Sequence, residues 1–261
     1  MGMRRINILL ITCLGLTACS SPENRFNEAT KLWRDGDIQA AKASYREIVE
    51  RFPTHSVTGK ALLILAETAQ YQDNNAGEAA RYYHRAAELF PGTDVDRTAR
   101  HKLGDLYLKE RRVQHAIAEY QKLVSLFPKS ADACDVQRAI IETYTSISQL
   151  PQALDEIDIL IDNFDGCRHR SWAITRRGLV LLMLGRTQEA IGVYLDFLKK
   201  YPKDPLTVDA TLMLADAYVD ADDLEHAVEV YQRMRNEKSG DPKFLEQRIA
   251  TLSRLRAERL R

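Results

Sequence analysis

Alanine recurs along this chain at a nearly constant interval. Ala41, Ala79, Ala116, Ala153, Ala190 and Ala227 are separated by 38 residues once and by 37 thereafter. Four residues after each stands a large residue: Tyr45, Tyr83, Tyr120, Ile157, Tyr194 or Tyr231. An i, i+4 pair lies on one helix face. A small residue followed by a large one in every interval describes helices that approach closely at the alanine and interlock at the ring. A second ruler agrees. The triplets "RFP", "LFP", "LFP" and "KYP" place prolines at 53, 91, 128 and 202, and the skipped position reads "NFD", with Phe164 and Asp165. Only 12 glycines and 8 prolines in 261 residues fit helices better than many short strands.

The interval accommodates two antiparallel helices, A and B. Such a unit cannot bury its apolar face alone, so stacking neighbours must create the core. In the third unit, helix A is expected near 94–110 and helix B near 112–126. Gly36-Asp37 and Gly185 suit the turns and caps between A and B. Pro151 suits the first turn of a B helix, and the extra residue of the second unit is expected in "QDNNAG".

In the third unit, "HKLGDLYLKERRVQHAIAEYQKLVSLFP", the residues Leu103, Gly104, Tyr107, Ala116, Tyr120 and Pro128 resemble the tetratricopeptide repeat (TPR) signature. That unit lacks the family's early tryptophan, and the period exceeds the usual length of about 34 residues. The resemblance implies an all-α fold: a TPR-type α-solenoid of about six helix-turn-helix repeats over 23–239, with a C-terminal capping helix over 240–261. Leu245, Ile249, Leu252 and Leu255 mark an apolar stripe in that last segment, flanked by arginines. It reads as a cap with a solvated face, or as a basic helix that docks an acidic partner or lipid headgroups.

The N-terminus carries Arg4 and Arg5, then an apolar stretch from Ile6 to Leu16. Eleven residues are too few to span a bilayer core of about 30 Å, and the anatomy is that of a secretory signal. Leu16-Thr17-Ala18-Cys19 resembles the lipobox of bacterial lipoproteins. The resemblance implies a signal peptide over 1–18, cleavage before Cys19, and lipidation of the Cys19 thiol and amino group. It also implies export to the outer membrane, since Ser20, rather than an aspartate, follows the cysteine. Residues 19–22 would be the lipidated N-terminus and a short linker, with Ser21 capping a helix that has Pro22 at its first position. An ordinary secretory signal and a buried first helix are the alternatives.

Two further cysteines follow. The repeat register puts Cys134 at the start of the fourth A helix and Cys167 just past the fourth B helix, at the meeting ends of one hairpin. In an exported chain these neighbours are expected to form a disulfide; otherwise they are two small buried hydrophobes.

No GxSxG, HExxH, P-loop or CxxC motif is present, and the six histidines are scattered. Neither catalytic residues, a metal site nor a cofactor is expected. A formal net charge of zero gives no footprint for nucleic acid. Binding is the more informative theme. In TPR proteins the A helices line a concave face, and one such position reads Thr30, Glu67, Asp105, Glu142, Leu179 and Asp216 in successive units. Trp172, Leu179, Leu182 and Met183 also fall at groove positions. An apolar centre with acidic surround, including Glu142 and Asp216, would select an envelope protein or peptide with apolar anchors and positive charge. Alternatively, curvature or the C-terminal helix covers these residues.

The combined resemblance is to TPR lipoproteins of the BamD-like and CpoB-like groups, with pilus-assembly lipoproteins a third relative. It implies a lipid-anchored, periplasm-facing, non-enzymatic scaffold in envelope biogenesis, with outer-membrane β-barrel assembly the first reading. The second is an adaptor that recruits peptidoglycan-synthesis, cell-division or pilus-assembly proteins.

Overall fold

A computed structural model describes residues 21–259, so the signal-like segment and Cys19 lie outside the described residues. The described chain is all-α, with thirteen helices and no strand. They are α1 (Pro22–Arg34), α2 (Ile38–Arg51), α3 (Ser56–Tyr71), α4 (Ala76–Leu89), α5 (Asp94–Lys109), α6 (Val113–Leu126), α7 (Ala133–Ser146), α8 (Leu150–Asn163), α9 (Arg170–Met183), α10 (Thr187–Lys200), α11 (Thr207–Asp220), α12 (Leu224–Asn236) and α13 (Pro242–Arg259). Odd-numbered helices from α1 to α11 are the A helices of six pairs, and their even-numbered successors are the B helices. The chain forms two compact units, divided between Pro91 and Gly92. In the first, α1 to α4 pack in sequence; in the second, α5 to α13 do the same. Among the described residues, no helix is long and apolar enough to cross a membrane.

Local chemistry sets the helix ends. Ser21 Oγ accepts the Asn24 N–H at 3.2 Å, and Pro22 opens α1, where its missing N–H costs nothing. Three residues join A to B in five pairs, whereas residues 72–75 join α3 to α4, so the extra residue of the second unit lies within "QDNNAG". Every A–B turn contains one left-handed residue. Gly36 and Gly185 (φ 86° and 72°) fill this role without a Cβ penalty, but Asn74, Arg111, Ser148 and Asp222 adopt it too, at φ of 49°, 58°, 57° and 63°.

The small and large positions of the repeat meet in the core. Tyr45, Tyr83, Tyr120, Tyr194 and Tyr231 are among the largest fully buried side chains. A Cβ added to Gly104 would sit 2.2 Å from Tyr120 Cε1, and one added to Gly178 would sit 2.4 Å from Tyr194 Cζ. These two A helices must therefore carry glycine for the rings to fit. The corresponding register position holds Ala29, Ala66 and Ala215, all fully buried. The fourth pair reverses the sizes: Ile157 replaces tyrosine, Ile141 replaces the small residue, and both are fully buried in the core of the second unit.

The B helices end on an aromatic residue. Phe52, Phe90, Phe127 and Tyr201 leave helical geometry with ψ of 51°, 52°, 52° and 55°, each before a proline that disfavours further helix. Phe164 precedes Asp165 instead, yet leaves α8 with ψ 75°. Helix α13 packs on α12 and buries Leu245 and Leu252, while Leu255 is exposed near its end. Four of its arginines are engaged by acids of this chain: Arg248 with Asp216, Arg254 with Glu258, Arg256 with Glu225 and Arg259 with Asp222. That is a capping arrangement, and it leaves little free positive charge on this helix for a docking role.

Candidate partner-binding groove

The second unit presents a groove over α9. Trp172 and Leu179 project from this helix, two turns apart on one face, and Met213 comes from α11. Together with Thr175, Arg176 and Asp209 they line a cavity of about 240 Å³. Trp172 and Leu179 are half-buried and Met213 is exposed, so the apolar floor is open to a partner. Leu182 is half-buried against the core and does not line this cavity. Met183 is 49% exposed at the end of α9, also outside it.

Two guanidinium groups flank the tryptophan. Arg138 of α7 lies 4.7 Å from the ring centroid and Arg176 lies 5.2 Å from it. Their attraction to the π-face fixes the ring. Arg138 is also tied to Glu142, one turn along α7, by a 2.9 Å hydrogen bond from Nε. Arg176 pairs with no carboxylate among the described residues. Sequence reasoning missed both arginines. Arg176 was legible as the i+4 neighbour of Trp172, whereas Arg138 reaches the ring only through the stacking of adjacent A helices.

The expected acidic surround is largely consumed internally. Tyr120 donates its hydroxyl to Asp105 Oδ1 at 2.6 Å, and Tyr231 donates to Asp216 Oδ1 at 2.8 Å. Thr30 and Tyr45 share a 3.0 Å hydrogen bond between hydroxyls. In these three pairs the tyrosine thus serves twice, as a packing ring and as a partner for the inward A-helix position. Asp216 also accepts from Arg248 of α13 at 2.5 Å, so the C-terminal helix neutralises one predicted groove acid. The fifth pair lacks this contact because position 179 is leucine; Tyr194 reaches only the Thr175 carbonyl, at 3.4 Å. Burial and the Asp216 carboxylate push the Tyr231 hydroxyl up to about 12, and burial also raises that of Tyr194. The charge nearest Trp172 is therefore positive, opposite to the expected surround.

Beside the groove, Cys134 and Cys167 form a disulfide, with their Cα atoms 5.8 Å apart. It ties the start of α7 to the connection between α8 and α9. Asp135 receives a bidentate contact from Arg168, at 2.8 and 2.7 Å, and lies 2.7 Å from His169 Nε2. Burial raises the Asp135 carboxyl, but His169 and Arg168 outweigh it and hold the group below its ordinary range. In the first unit, a separate recess of about 310 Å³ is lined by Trp33, Tyr45, Ile64, Glu67 and Tyr71.

Comparison with known proteins adds the family. The model of the tetratricopeptide repeat matches residues 26–92, 68–131 and 175–242, more than half of the chain. The matched spans leave out 132–174, which holds the fourth helix pair and the disulfide. No curated protein sequence matches the chain. Among solved structures, the Naa15/Naa10 complex bound to HypK-THB is similar with a TM-score of 0.64 and 16% identity, over 91% of this chain and 35% of that one. The MamA protein gives a TM-score of 0.52 and 19% identity, over 70% of this chain and 93% of that one. YrrB, a TPR protein with an unusual peptide-binding site, gives 0.50 and 17%, over 74% and 91%. At these identities the likenesses establish the fold alone.

Proposed function

We infer the function from one premise: the chain belongs to the tetratricopeptide repeat family, whose members are protein-binding scaffolds and generally non-catalytic. The protein is a scaffold that holds a partner segment in the groove over α9. One observation carries this reading: an open apolar floor of Trp172, Leu179 and Met213 lies beside Arg176, which makes no ion pair with a carboxylate among the described residues. A partner with an apolar anchor and a neighbouring acidic residue fits that surface. This revises the basic partner anticipated from the run of inward acids, because those acids are bound by tyrosines and by Arg248.

The signal-like N-terminus and the lipobox at Cys19 support an envelope setting, with the scaffold anchored at the outer membrane and facing the periplasm. The described fold begins at Pro22, so the first helix would stand within a few residues of the lipid. A barrel-assembly role and recruitment of wall, division or pilus proteins are the two readings of the partner. Affinity purification of the full chain from membranes separates them. Recovery of an outer-membrane barrel protein, with porins depleted in a deletion strain, supports the first. Recovery of wall or pilus enzymes with altered septation or piliation supports the second. Membrane fractionation of a Cys19→Ser variant tests the anchor: it should move to the soluble fraction, and continued membrane retention would refute lipidation.

A further inference from the structure

One cluster lies at the edge of the groove, where the His169 ring meets Trp172 edge-on at 6.4 Å between centroids. Cys134, Asp135 and His169 each offer a metal-ligating atom, and these atoms all lie within 4.8 Å of one another. Cys167 is bonded to Cys134 and therefore shares the location. All four residues are half-buried. Two elements supply them: the first turn of α7 gives Cys134 and Asp135, and the α8–α9 connection gives Cys167 and His169. A cleft of about 550 Å³, lined by Ser130, Cys134, Asp135, Phe164, Cys167 and Arg168, opens onto the pair from solvent.

We propose that this cluster is a redox-gated site for a thiophilic divalent cation of the zinc type. It is closed while the disulfide stands and formed by Cys134, Cys167, His169 and Asp135 once it is reduced. Two thiolates, an imidazole and a carboxylate make a tetrahedral donor set, in which ligand atoms stand about 3.3–3.8 Å apart. The observed spread already approaches that spacing, so side-chain rotation can complete the set without moving the helices. The carboxylate is already a cation receptor, since Arg168 binds it bidentately. That guanidinium is 73% exposed, and it can leave for water at little cost when a metal ion takes its place.

The chemistry balances with a dithiol as reductant. The dithiol gives two electrons to the Cys134–Cys167 bond, which opens to two thiols, and the dithiol becomes its own disulfide. Zinc then displaces both thiol protons to solvent and remains divalent. The ion bridges the same two elements that the disulfide bridged, so the fourth hairpin stays clamped in either redox state. Reduction would otherwise release the connection that carries His169 and leads into α9.

The test uses the full mature chain, oxidised or reduced with a phosphine and freed of metal. Zinc affinity is measured by competition with a chromophoric chelator, and cobalt(II) serves as a spectroscopic probe. The reduced chain should bind one zinc at least about 100-fold more tightly than the oxidised chain, with a thiolate-to-cobalt charge-transfer band and tetrahedral ligand-field bands. His169→Gln and Asp135→Asn should each weaken the reduced site by roughly tenfold or more while still forming the disulfide. Cys134→Ser should abolish the cobalt band's two-thiolate intensity. Helicity is followed throughout; if the reduced, metal-free chain loosens, zinc should restore it in the wild type but not in His169→Gln. Equal affinity of oxidised and reduced chains would overturn the proposal. So would unchanged affinity in both His169→Gln and Asp135→Asn, which would mean a bare cysteine pair.

Discussion

The third and fourth helix pairs occupy successive places in one unit and solve the same packing problem in opposite ways. In the third, Gly104 vanishes so that Tyr120 can fill the space, and the ring's hydroxyl binds Asp105. In the fourth, Ile141 and Ile157 share the volume, and Glu142, in the Asp105 register, turns to Arg138 instead. Arg138 then lies over Trp172 of the next A helix. The third pair ends on Phe127-Pro128; the fourth ends on Phe164-Asp165 and has a disulfide beside the turn. The difference teaches that a departure from the repeat need not weaken it. Each lost regularity is matched by another device, and the freed polar groups build surface chemistry that the regular pair uses up internally.

The largest expected effect tests whether the volumes are truly complementary. Ile141→Ala should cost about 2–5 kcal/mol in denaturant unfolding, because a buried β-branched side chain leaves a cavity. Pairing Ile141→Gly with Ile157→Tyr, which imitates the third pair, should recover part of the loss. The coupling in that double-mutant cycle should reach about 1–3 kcal/mol, and additive effects would show that the two positions do not share a space.

Next comes the covalent device. Replacing Cys134 and Cys167 by serine should destabilise the second unit by about 3.5 kcal/mol in the chain-entropy picture. Urea unfolding of the variant should be insensitive to a reductant, whereas the wild type should lose stability on reduction under metal-free conditions. The converse change in the third pair is smaller. Gly104→Ala should cost about 1–3 kcal/mol, since Tyr120 must shift to admit the methyl group. Calorimetry of this variant beside the equivalent Gly178→Ala should show similar losses.

The smallest effect concerns the tyrosine–carboxylate contact. The Tyr231 hydroxyl is pushed up to about 12 from an ordinary value near 10. Its contribution to stability is fully present below about pH 10 and is lost as pH rises through about 12. Ultraviolet titration should detect this late ionisation, and Asp216→Asn should bring it earlier, because one of the two upward influences is removed.

Much of this architecture was legible from spacing. The alanine–tyrosine ruler located the helix pairs, Ser21 and Pro22 opened the first helix, and the register brought Cys134 beside Cys167. Charge at the groove was less legible. A run of inward acids says nothing about the tyrosine hydroxyls that meet them from another helix, nor about Arg248 arriving from α13. Backbone conformation at the turns was also hidden: Arg111 and Ser148 adopt left-handed geometry because a three-residue connection demands it, not because their side chains favour it. Glycine marks that position in only two of the six turns.

We propose that the irregular part of the second unit, unlike the regular pair before it, is the surface that meets a partner. A photo-crosslinking residue placed at Leu179 and, separately, at the matching position Asp105 tests it in the cell. A discrete protein adduct is expected from position 179, one that disappears with Trp172→Ala, and none is expected from position 105. Equal adducts from both positions, or an adduct at 179 indifferent to Trp172, would contradict it.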